Sequence, residues 1–125
     1  MAKPEAVRRI KSYSAANGYV YQYCFFEVNR VSVEGHPAGE FIYAISADRK
    51  TTFSLRILVL QAALEEWAKL NGRTLTPSEE YAVAKMRLFK AFDDGEVPVS
   101  ANAAHEVRLI VNQQNLETML GFLNI

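Results

Sequence analysis

The stretch GYVYQYCFFEV, residues 18 to 28, constrains the fold more than any other part of the chain. Side chains of an extended segment alternate between two faces, so Tyr19, Tyr21, Tyr23 and Phe25 share one side, and Val20, Cys24, Phe26 and Val28 share the other. An antiparallel strand ordinarily turns one face to water, yet here both ask for cover. The aliphatic side with Cys24 is expected to pack beneath helices. The tyrosine row, whose hydroxyls tolerate water, is then left as a partner surface, a pocket wall or a second core layer.

The same period-two pattern runs from Tyr19 to about Val33, breaks at EGHPAG, and resumes in EFIYAIS with Tyr43, which predicts two antiparallel strands. Before it, Pro4, Ala6, Val7 and Ile10 followed by Gly18 predict a short opening helix. After it, FSLRILVLQAALEEWAKLNG sets Phe53, Ile57, Leu60, Leu64 and Trp67 on one helical stripe and stops at Gly72, a good left-handed cap. A second helix begins at Thr76 and Pro77 and ends before Gly95. A strand over Val107 to Val111 and a short terminal helix in NLETMLGFLNI complete the chain. The expected architecture is one α+β domain, 1 to 125, with helices on a mostly antiparallel sheet of about three strands in the order α-β-β-α-α-β-α.

Composition excludes several function classes. With 125 residues, half of them hydrophobic, the chain buries a core without disulfides or metal. Fourteen basic and fourteen acidic side chains cancel, so no bulk charge draws it to nucleic acid or an anionic membrane. The charges are uneven, however: Lys3, Arg8, Arg9 and Lys11 face only Glu5 near the start, while five acids face Arg108 alone beyond residue 92, a polarity that favours contact between the two ends. Cys24 is the only cysteine, no apolar run spans a bilayer, and the first residues lack the apolar core of a secretory signal, which together predict a reducing, cytoplasmic setting.

Candidate chemistry is sparse. The segment SADRKTTF is expected to enter a helix with Arg49 and Lys50 beside a cap at Thr51 or Thr52, which reads either as an anion site or as a plain solvated turn. Lys85 falls among Tyr81, Leu88, Phe89 and Phe92 on the apolar stripe of its helix, where burial would lower its pKa for a Schiff base or a bound carboxylate, unless the long stem carries the ammonium out to water. Asp93 and Asp94 close that helix against its dipole and await an explanation. His36 and His105 have no ligand spacing, so neither metal nor cofactor is expected. A Gly followed by alternating aromatics suggests a base-stacking sheet, but the basic residue before the Gly is missing, which argues against nucleic acid as a partner.

The surplus of apolar side chains in FSLRILVL, together with the double-faced strand, points to self-association, and so to a homodimeric interaction or regulatory module with no active site. The competing class is a small-molecule or enzymatic domain whose tyrosine-walled pocket, comprising Tyr19, Tyr21, Tyr23, Phe25 and Tyr43, takes its polarity from Lys85 or from the Arg49 and Lys50 turn.

Overall fold

A computed structural model of the protein describes residues 9–98 and 107–125. The elements run β1 (Lys11–Ser14), β2 (Val20–Val33), β3 (His36–Ser46), β4 (Phe53–Leu60), α1 (Gln61–Asn71), α2 (Pro77–Asp93), β5 (Val107–Val111) and α3 (Gln113–Phe122). The first four strands form an antiparallel meander in sequence order, and β5 joins β4 in parallel after a crossover that contains α1 and α2. The result is a curled, half-barrel sheet of five strands in mixed orientation with three helices.

This corrects the expected order at two points. Where an opening helix was expected, Lys11–Ser14 is an edge strand paired with β2; residues 1 to 8 of that expectation lie outside the described residues. The first half of the predicted long helix is β4, and the helix proper begins at Gln61 with no intervening loop. Phe53, Leu55, Ile57 and Val59 satisfy a strand's alternation as well as Phe53, Ile57 and Leu60 satisfy a helix's period, and the branched Ile57 and Val59 favour the strand. Placed between β3 and β5, this strand is central, which accounts for the apolar surplus of FSLRILVL without a helix that is greasy all round.

The turn between β2 and β3 is shorter than the segment EGHPAG suggests. Glu34 and Gly35 both take positive φ, 50° and 84°, the two-residue hairpin turn whose twist matches the strands, and pairing resumes at once with Val33 opposite His36. Register slips between Phe25 and Glu27, a β-bulge that inserts Phe26 as an extra residue in β2 and changes which side chains of that strand share a face.

All three helices pack into the core against the face that carries the tyrosines. Tyr21 and Tyr43 are 0 % exposed and Tyr23 6 %, enclosed with Ile45, Leu55, Ile57 and Val59 under Val83, Leu88, Phe92, Leu116 and Met119. The expected orientation of β2 is therefore inverted: aromatics go to the core, because rings bury more area than Val and Cys, and Val20 and Phe26 stay exposed.

Candidate functional site

Every fourth residue of α2 faces the same way, which aligns Tyr81, Lys85 and Phe89 over β1, β2 and β3. The Tyr81 ring meets Phe25 edge-on at 5.0 Å. One turn later the Lys85 ammonium lies 5.9 Å from the centre of the Tyr23 ring and 5.7 Å from that of Phe89. Phe89 in turn stacks on Tyr13 at 4.3 Å and meets Tyr23 edge-on at 5.4 Å. Lys11 pairs in register with Tyr23 and shares a face with Tyr13, so both lysines converge on the same tyrosine.

The electrostatics of this cluster are one-sided. Burial lowers the pKa of Lys85, and the neighbouring Lys11 ammonium lowers it further. Among the described residues no carboxylate forms an ion pair with either lysine. The hydroxyls nearby are held protonated: burial, then Tyr81, raises Tyr23, and burial raises Tyr43 strongly, with Tyr81 and Tyr23 adding to it. The Tyr43 hydroxyl is buried without a hydrogen-bond partner; the Tyr81 hydroxyl is near enough to affect its titration but does not complete a bond of good geometry. Two cations and three hydroxyls thus meet with no acid between them.

Of the residues singled out from sequence, Tyr23, Phe25, Tyr43 and Lys85 come together here. Tyr21 is instead stacked on Phe92 at 4.3 Å, and its hydroxyl donates to the Val97 carbonyl at 3.1 Å. Tyr19 lies outside the cluster and is half exposed. Lys11, Tyr81 and Phe89 complete the site. The α2 spacing already brought Tyr81 and Phe89 beside Lys85, whereas Lys11 was hidden by reading its segment as helix.

Arg49, Lys50, Thr51 and Thr52 stand in the loop between β3 and β4, and no helix follows them. The backbone N–H groups of Lys50 and Thr51 both donate to Asp48 Oδ1 at 2.8 Å, and the Thr51 hydroxyl donates to Oδ2 at 2.8 Å. These bonds hold the Asp48 carboxyl far below the usual carboxylate range. The loop's own aspartate takes the donors that an external anion would need.

A second surface lies on the opposite side of the sheet. Rows of side chains cross it from strand to strand: Glu27, Ile42, Arg56 and Arg108 in one, and Asn29, Glu40, Leu58 and Ile110 in the next. Arg56 pairs with Glu40 at 3.3 Å between the rows. A hollow of about 250 Å³ opens beside the bulge, lined by Phe26, Glu27, Ile42, Ser54 and Arg56.

No protein-family model matches the chain, and neither a curated protein nor a solved structure shows significant similarity to it. Among the described residues no helix is long and apolar enough to cross a membrane, and no group of acids, histidines and Cys24 has the arrangement of a metal site. His105 lies outside the described residues.

Proposed function

We propose that the protein is an interaction module that pairs with a second copy of itself through the sheet face turned away from the helices. One observation supports this reading above the others: all three helices pack on the tyrosine face, while Val20, Phe26 and Ile110 on the other remain 42 %, 45 % and 39 % exposed. Scattered apolar residues are ordinary on a surface, but these belong to one sheet face, and Phe26 lines the hollow at the bulge.

The charges favour a second copy over an unrelated partner. The row Glu27, Ile42, Arg56, Arg108 spans four strands, roughly 14 Å at ordinary strand spacing, with an acid at one end and a base at the other. A twofold axis through its middle sets Glu27 of each copy opposite Arg108 of the other and Ile42 opposite Arg56, where the apolar side chain packs on the arginine's alkyl stem. Such a face is complementary to itself.

Light scattering across a concentration series tests the proposal. The mass rises to twice that of the chain, high salt shifts the midpoint to higher concentration by screening the row of charges, and Phe26→Asp or Ile110→Asp moves the midpoint at least tenfold. A monomeric mass at every concentration and salt level overturns it.

A further inference from the structure

The Lys85 cluster is independent of that sheet face, since it lies on the helix side of the sheet. Three features there are costly unless something else completes them. The Lys85 ammonium lies over the Tyr23 ring, Lys11 is paired with Tyr23 in the sheet register, and no carboxylate is paired to either lysine among the described residues. The Tyr43 hydroxyl is buried with neither donor nor acceptor satisfied. The Lys11 and Lys85 ammonium groups only donate, and the Tyr23 and Tyr81 hydroxyls beside them offer neutral oxygens as acceptors, so among the described residues the cluster holds no anionic acceptor to balance its charge. Proteins usually neutralise paired cations by placing an acid beside them; α2 places its acids instead at Glu79 and Glu80 in its first turn and at Asp93 at its far end.

We infer that Lys11 and Lys85, with the hydroxyls of Tyr23, Tyr43 and Tyr81, form a binding site for a small oxyanion, a carboxylate or a phosphate group. The anion lies between the two ammonium groups, each giving a charge-assisted hydrogen bond, and turns an oxygen toward the tyrosine hydroxyls. The rings of Tyr23, Phe25 and Phe89 supply an apolar wall, so an anion carried on a flat organic body gains stacking that inorganic phosphate does not. Lys85 is only partly buried and Lys11 is exposed, which leaves the ammonium side open for entry.

Isothermal titration with benzoate and with inorganic phosphate, each at constant ionic strength made up with chloride, tests the inference. Binding of one or both with a dissociation constant below millimolar is expected; benzoate alone identifies a carboxylate on an aromatic body, and phosphate alone identifies a phosphate site. Lys85→Gln and Lys11→Gln each weaken binding tenfold or more, Lys85→Arg restores most of it, and Tyr81→Phe weakens it severalfold. Both lysines reach solvent, so these variants fold, and circular dichroism of each confirms that the comparison is between native proteins. No heat with either probe, or equal affinity in the wild type and in the Lys11→Gln/Lys85→Gln double variant, overturns the inference.

Discussion

Asp93 stands at a helix C-terminus, where the dipole disfavours negative charge, yet it holds two distant groups. It accepts from the Tyr13 hydroxyl at 2.8 Å and from the Ala16 backbone N–H at 2.9 Å, tying β1 and the turn after it to the end of α2. Asp94 is explained separately by its 3.0 Å pair with Lys90, one turn earlier. Contact between the two charge-biased regions of the chain is thus made by a tyrosine hydroxyl and a backbone N–H, which a count of charges does not show. Burial, then the bond to Asp93 and its charge, pushes Tyr13 up to about 12. A folded-state pKa above the unfolded value of 10 means stability that is complete below pH 10 and lost as pH rises from 10 toward 12. Tyr13→Phe should cost about 1 kcal/mol at neutral pH, less than a buried charged bond because Tyr13 is partly exposed. Its urea midpoint should then fall less steeply than the wild type's between pH 10 and 12; parallel curves would contradict the assignment, Tyr23 and Tyr43 sharing any slope that remains. At the neighbouring position, Phe92→Ala removes a fully buried ring stacked on Tyr21 and should cost about 3–5 kcal/mol by chemical denaturation.

Helix α2 is the element most nearly readable from sequence, because its signals are local. Thr76 accepts from the Glu79 backbone N–H, the Glu79 side chain accepts from the Thr76 backbone N–H, and Pro77 needs no partner at the first helical position. Arg73 adds two bonds to the same carboxylate at 2.8 and 2.9 Å and, with the Thr76 bond, holds Glu79 down to about 2. Thr76→Ala should lower stability by about 1 kcal/mol, with α2's first turn losing amide protection ahead of its centre. Unchanged exchange would show that packing alone holds that turn. Strand β4 marks the limit of local reading: its eight residues fit the period of a helical stripe and of an alternating strand equally, the branched Ile57 and Val59 tip the balance only slightly, and pairing with β3 and β5 decides it. Likewise β1 has four residues and no alternation long enough to register; pairing with β2 makes it a strand.

Across the molecule, the chain's double-faced aromatic strand foretold a layer of helices and a second surface, but not which face went where. Aromatic volume and the bulge settle that: Tyr21, Tyr23, Tyr43 and Phe25 fill the space between a curled sheet and α2, while Val20, Cys24 and the bulged Phe26 remain outside. Part of the lysine cluster was legible for the same reason that α2 was, its spacing being local; the contribution of Lys11 comes from the sheet register, which a single strand does not encode. The central claim is that the opposite sheet face is open in one chain and covered by a second copy. Cys24, the only cysteine, reports on it directly, since it lies on that face, in the row with Ala44 and Ser54, and is partly exposed. Its rate of reaction with a neutral thiol reagent should be measured over a range of protein concentrations. The account predicts a rate that is readily measurable when dilute and falls severalfold as the protein is concentrated, in step with the rise in mass. A rate independent of concentration, or no reaction even at the highest dilution, would contradict it.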